Sequence, residues 1–284
     1  MPSETSASAN SAQIEYWNAA AGLTWAEFQE QLDRQIESLG LEAMRVLAPI
    51  KGERIVDIGC GCGQTALELA CRVGSEGSVL GVDISTPMLE VARTRPRPAP
   101  DLALEFKPLD AQTGDLGEAQ FDAAYSRFGV MFFSDSVAAF SNILKSLKPG
   151  GRFAFVCWRS LQDNDWMREP MQAAAPLLPP AAPSDPLAPG PFAFADANRV
   201  RRMLREAGFE SVEVSSFDAM IGAGDLDQSL RLAFKVGPLG AALRENPHLK
   251  DDVSRAVRDV LARHVTPEGV RMRSAVWIFL ARKR

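Results

Sequence analysis

Between Arg54 and Trp158 the chain repeats one pattern: a short apolar run stopped by glycine, proline or an acid, followed by apolar residues at helical spacing. Ile55-Val56-Asp57-Ile58 is apolar enough for a strand buried on both faces and breaks into Gly59-Cys60-Gly61-Cys62-Gly63. Thr65 then opens a helix with Leu67, Leu69, Ala70 and Val73 along it, ending at Gly74. Further strand ends fall at Gly81-Val82-Asp83-Ile84-Ser85, at Phe106 to Ala111, at Phe121 to Gly129 and, after Leu147-Lys148-Pro149-Gly150-Gly151, over Arg152 to Trp158. Strands alternating with helices predict parallel strands joined by right-handed crossovers.

The flanks read differently. Ile14 to Ala48 is helical, with Leu32, Ile36, Leu39, Ala43 and Leu47 on one face until Pro49 stops it. Its earlier part carries Tyr16, Trp17, Trp25 and Phe28, aromatics that suit ordinary core. Asp163 to Pro191 holds eight prolines from Pro170 onward, which excludes a regular helix or central strand. Trp166, Met167, Met171, Leu177 and Leu178 make this stretch more apolar than a linker, favouring a packed cover. Asp196 caps a helix ending at Gly208, and Val212 and Val214 begin a strand. More helix lies between Leu226 and His264, with Asn246 as cap, Pro247 at the first position and Val253, Ala256, Val257, Val260 and Leu261 as its stripe. Ser274 to Ala281 reads as a last strand, its Ala-Val-Trp-Ile-Phe-Leu run apolar enough for burial on both faces. The expected organisation is a tail over 1–12, a helical cover over 13–50, a core over 51–160, an insertion or lid over 161–195, and a returning part over 196–284 that carries a cap at about 225–265.

The glycine turn sits where backbone can approach a ligand at a helix N-terminus. A dinucleotide site wants G-x-G-x-x-G, and the position of its third glycine is Gln64, which weakens a nicotinamide oxidoreductase reading. What stands here is G-x-G-x-G with Asp57 two residues ahead, and a carboxylate there suits a ligand carrying an ammonium group. With the four later strand ends in order, this resembles the class I S-adenosylmethionine-dependent methyltransferases. The resemblance implies an α/β fold with a doubly wound, seven-stranded, mostly parallel sheet, an antiparallel last strand and helical cap insertions. It implies S-adenosylmethionine as cofactor, released as S-adenosylhomocysteine. Asp57, Gly59, Gly61 and Gly63 would form the turn that holds it, Asp83 would accept from both ribose hydroxyls, and Ile84 would pack on the adenine. Asp110 and the Ala111 N–H would read the adenine edge, while Ser126 and Arg127 would face the methyl-transfer end. Arg127 meets either the substrate or the cofactor's carboxylate, or else is a surface salt bridge. In the family it resembles, amino-terminal helices fold over the cofactor, which would make Tyr16, Trp17, Trp25 and Phe28 a roof for the site rather than ordinary core.

Amino-methyltransferases of nucleic-acid bases and of glutamine carry N-P-P-Y or D-P-P-F after the fourth strand, where this chain has Ser126-Arg127-Phe128-Gly129. A small acceptor is therefore expected, apolar or aromatic, met by Trp17, Trp25, Phe128 and Trp158. A non-catalytic S-adenosylmethionine-binding protein is the other alternative. The chain has two histidines, His248 and His264, neither expected to be a base; His264 suits a helix C-terminus instead. Positioning alone recovers about 7–11 kcal/mol of a displacement barrier, so no acid or base is obligatory.

Composition narrows the picture further. The 284 residues suffice for a large core, and 46% are hydrophobic. A net charge of −5 argues against a nucleic-acid partner, and no apolar run is long enough for a bilayer. Arg93, Arg95 and Arg97, and the later group from Arg199 to Arg205, read as solvated faces. Cys60 and Cys62 lack metal-ligand spacing and read as small turn residues, so no metal is expected. Pro2 to Asn10 has no secretory pattern, which with free thiols favours a cytoplasmic protein, either alone or as a homo-oligomer.

Overall fold

The computed structural model describes residues 10–180, 185 and 187–284. The amino-terminal tail up to residue 9 and part of the proline-rich stretch, residues 181–184 and 186, lie outside the described residues.

The expected long amino-terminal helix is three: α1 (Ser11–Asn18), α2 (Ala20–Glu27) and α3 (Gln29–Leu47). Ala19 leaves helical dihedrals at φ −95°, ψ −145°, which separates α1 from α2. At that corner the Asn18 side chain donates to Ile84 O at 2.7 Å and accepts from Thr86 N at 2.9 Å, tying α1 to the end of the second strand. Helical periodicity alone carries no trace of such long-range hydrogen bonds.

The core alternates β1 (Arg54–Ile58), α4 (Gln64–Val73), β2 (Ser78–Asp83), α5 (Thr86–Thr94), β3 (Ala103–Pro108), β4 (Phe121–Arg127), α6 (Ser136–Ser146) and β5 (Leu147–Trp158). After it come α7 (Asp165–Ala174), α8 (Ala197–Glu206), β6 (Ser211–Ile221), α9 (Leu226–Ala233), α10 (Gly237–Glu245), α11 (Lys250–Ala262), a small hairpin of β7 (Val265–Thr266) and β8 (Gly269–Val270), and β9 (Met272–Arg282). The seven-stranded sheet has the order β3-β2-β1-β4-β5-β9-β6. Strands β1 to β5 pair in parallel, and β9 runs antiparallel to both β5 and β6. Ile55, Val56, Ala123, Ala124, Phe153, Phe155 and Phe279 are fully buried in its centre. The order reverses between β1 and β4, and in open α/β sheets the crevice at such a point receives the ligand.

One expectation needs correction. Residues 165–174 form a regular helix in spite of Pro170. An interior proline costs about 3 kcal/mol through its missing N–H and its ring clash. Here Pro170 falls with Met167 and Ala174 on the buried face, where its ring adds apolar contact. α7 packs against a separate apolar cluster formed by Leu230, Leu239, Leu243, Val253, Val257 and Leu261 of α9 to α11. Pro247 also begins a 3-10 turn, Pro247–Leu249, rather than α11 itself.

Candidate functional site

A cavity of about 370 Å³ opens at the crevice, bounded by the glycine turn, the amino-terminal helices, the aromatic residues after β4 and β5, and the start of α10. At the turn, Gly59, Gly61 and Gly63 have φ of +67°, +54° and +84°. A Cβ on Gly59 would stand 2.9 Å from the Gly129 Cα, so the turns after β1 and β4 are in backbone contact. A Cβ on Gly61 would meet only the tip of Met88, at 3.9 Å, which leaves room for a ligand against the backbone.

Asp83 ends β2 and is buried; one oxygen accepts from Gly61 N and the other from Ser85 N, both at 2.8 Å. A carboxylate has about four acceptor positions, so two remain for a ligand's hydroxyls. Burial raises its pKa and the backbone N–H groups pull it back. Asp110 is held by Gln112 N at 2.9 Å and Thr113 Oγ1 at 2.8 Å. Asp83, Ile84, Asp110 and Ala111 all line the cavity, with Gly59, Gly61 and Arg127. This donor and acceptor set, on one rim beside an open glycine, fits an adenosyl group.

Three of the expected cofactor residues stand behind that wall rather than in it. Asp57 is fully buried, accepting from Thr65 Oγ1 at 2.6 Å through one oxygen; its other oxygen has no partner among the described residues. Burial pushes its carboxyl up to about 7, against the smaller opposing influences of Thr65 and Arg127. Gly63 packs on Ala92 and Phe106, where a Cβ would come within 2.8 Å of each. Ser126 donates to Ile58 O at 2.7 Å and braces β4 against β1. All three stand outside the cavity lining and brace the turn through these contacts.

Arg127 is in the wall and is not a surface salt bridge: its side chain is 10% exposed and donates to Asp33 Oδ1 at 2.9 Å and to Gln64. Asp33, on α3, is held from its other side by Arg95, which also donates to Gln29 and to Cys62 O. Arg95, expected on a solvated face, is instead partly buried by these partners and with Arg127 straps the cover helix to the glycine turn. Burial raises the Cys60 thiol and pushes Cys62 up to about 12, keeping both as neutral fillers of the turn.

The opposite end is aromatic. Trp17 meets Trp25 and Phe132 edge-on, at centroid distances of 6.0 and 5.0 Å. Phe128 stacks on Trp158 at 4.2 Å and 13°, and Trp158 meets Trp166 of α7 at 5.0 Å. Phe128 has φ +63°, a left-handed conformation that bulky residues rarely adopt and that clusters at functional sites. All four expected acceptor residues, Trp17, Trp25, Phe128 and Trp158, line the cavity.

Asn164, which sequence reasoning passes over, holds this end in place. Fully buried, it donates to Ser160 O at 2.9 Å and Ala275 O at 3.1 Å, and accepts from Ala275 N at 2.9 Å and the Trp166 indole at 3.3 Å. Neither histidine lines the cavity; the His264 ring nitrogen Nε2 lies 2.8 Å from a Glu169 carboxylate oxygen.

Comparison with known proteins agrees with this geometry. A family model for a methyltransferase domain matches residues 55–151, the stretch from β1 to the start of β5. The chain is 34% identical to aklanonic acid methyltransferase DauC of Streptomyces over 41% of its own length, and spans about half, 53%, of that relative. It is 34% identical to a demethylmenaquinone methyltransferase of Clavibacter sepedonicus over 63% of its length and 74% of the relative's. Among solved structures, a Haemonchus contortus phosphoethanolamine N-methyltransferase 2, in complex with phosphomonomethylethanolamine and S-adenosylhomocysteine, superimposes with a TM-score of 0.53 at 19% identity. That match covers 87% of this chain and 52% of the other, and shows a common fold. With the sheet order, the glycine turn and a relative aligned over most of its length, the chain belongs to the class I S-adenosylmethionine-dependent methyltransferases.

Proposed function

We propose that this protein transfers the methyl group of S-adenosylmethionine, by in-line displacement, to a small apolar or aromatic acceptor in the cytoplasm. The observation that carries this reading is a single cavity with hydroxyl-accepting carboxylates at one end and stacked aromatic rings at the other. Asp83 takes the ribose hydroxyls, Ile84 covers the adenine, and Asp110 with the Ala111 N–H takes its edge. Gly59 and Gly61 let the backbone approach, and Arg127 faces the amino-acid carboxylate. Asp57, Gly63 and Ser126 hold the turn in that shape from behind. Trp17, Trp25, Phe128 and Trp158 receive the acceptor. The names of two relatives, which act on aklanonic acid and demethylmenaquinone, support an organic small molecule as acceptor. Four unpaired cysteines support a reducing compartment.

When bound, the cofactor supplies an electrophilic methyl on a sulfonium. The chain's part is to hold the acceptor's lone pair opposite the departing sulfur, exclude water with α1 to α3 and α7, and face the positive charge with aromatic rings. Neither histidine lines the cavity, and the acids that do, Asp33, Asp83 and Asp110, are each engaged in hydrogen bonds, so this reading gives positioning the main share of the rate. Methyl-labelled S-adenosylmethionine incubated with a panel of hydroxylated and carboxylated aromatic compounds should yield labelled products. Binding of the cofactor without transfer to any of them would instead favour the non-catalytic reading.

A further inference from the structure

Gln35 is a polar residue on the apolar face of α3, 8% exposed, and its carboxamide has no hydrogen-bond partner among the described residues. It lines the main cavity and also a smaller one of about 60 Å³ directly behind it. The two cavities share Trp166, Met167, Val236, Gly237 and Pro238, which places Gln35 among the cover elements and not with Asp83 and Asp110. The other polar side chains of this region are committed: Asn164 to four backbone and indole groups, and Ser229 to Gly224 O. Its polar atoms are not among the fully enclosed unpaired ones, Gln13 Oε1, Asp57 Oδ1 and Arg168 Nε, so the uncommitted carboxamide stays open to the cavity that Gln35 lines, where a ligand can reach it.

We infer that Gln35 determines acceptor specificity, its carboxamide hydrogen-bonding a carbonyl or hydroxyl oxygen on an aromatic acceptor whose ring is held by the Trp17, Trp25 and Phe128–Trp158 surfaces. The inference rests on the acceptor reading above and adds the group that is recognised. A site built to hydrogen-bond an oxygen discriminates against the analogue lacking it much more sharply than an apolar pocket discriminates between methyl groups, because the analogue leaves the site's own polar group unpaired. The carboxamide both donates and accepts, so it serves a ketone and a phenol equally well.

The test compares wild type with Gln35→Met, which keeps the side chain's shape and removes its polarity. Binding of 1-naphthol and of 1-methylnaphthalene, matched in size and differing in the oxygen, is followed by quenching of tryptophan fluorescence. Wild type should favour the naphthol, and the substitution should reduce that preference about tenfold. Tm should stay about the same, since no hydrogen bond of the carboxamide is lost among the described residues; a purely structural Gln35 would lower it. A preference unchanged by the substitution, no binding of either compound, or a lowered Tm would each overturn the inference. An ordered water satisfying Gln35 would give the first of these results. Cofactor affinity, titrated separately, should match in the two proteins; its absence from both would count against the methyltransferase reading instead.

Discussion

Asp57 is fully buried outside the cavity lining, where it accepts from Thr65 beneath the glycine turn. Its carboxyl has an ordinary value of 3.8 and is pushed up to about 7, first by burial. A group raised on folding stabilises the native state fully below its unfolded pKa, and that contribution is lost as pH rises through the folded value. The native protein should therefore weaken between about pH 4 and pH 7, by on the order of 4 kcal/mol if the whole shift is realised. Asp57→Asn keeps an acceptor for Thr65 and removes the titration. Urea denaturation at about pH 5 and about pH 8 should show wild type losing stability that the variant retains. Parallel behaviour would mean that the carboxylate is compensated in the native protein. The same residue marks a limit of reading from sequence. Its strand-end position predicts proximity to a ligand, but whether it faces the cavity depends on one step of the strand's pleat, and the structure puts it behind.

At the level of elements, α7 is the clearest case of packing outweighing local preference. Proline density argues against a helix over residues 165–174, whereas the apolar cluster of α9 to α11 gives Met167, Pro170 and Ala174 a face to bury. Asn164 anchors the start of that helix to β9 through Ala275 and positions Trp166. Asn164→Ala should free buried backbone groups at about 1–3 kcal/mol for each left without a partner, lower Tm, and speed hydrogen exchange selectively in α7. Uniform exchange across the sheet and α7 would contradict that anchoring role. Asn164, Asp33 and Arg95 were illegible in sequence for one reason: their partners lie on other elements, far along the chain. Gln35 left a fainter signal. It falls three residues after Leu32 and four before Leu39, in line with the buried face of α3, and a polar residue in such a stripe calls for an explanation.

On the scale of the whole molecule, sheet and crevice were legible because strand ends are punctuated locally by glycine and acids, and because doubly wound sheets gather those ends on one side. Asp83, Asp110, Gly59 and Gly61 follow directly from that rule and meet in one wall. The cover was legible only as a set of apolar segments, since its shape depends on contacts between α1 to α3, α7 and the excursion between β6 and β9. Among the described residues no helix is long and apolar enough to cross a membrane. The molecule thus combines, along one cavity, a rim of acids and glycines suited to an adenosyl ligand with an aromatic chamber.

Calorimetric titration of S-adenosylmethionine into wild type and Asp83→Ala tests that combination most directly. Wild type should bind at a single site, and the variant should lose a few kcal/mol of affinity, at roughly 1.5–3 kcal/mol for each hydroxyl bond to a carboxylate. No heat of binding by wild type at about millimolar ligand, or equal affinity in a folded variant, would contradict the assignment of the crevice to the cofactor.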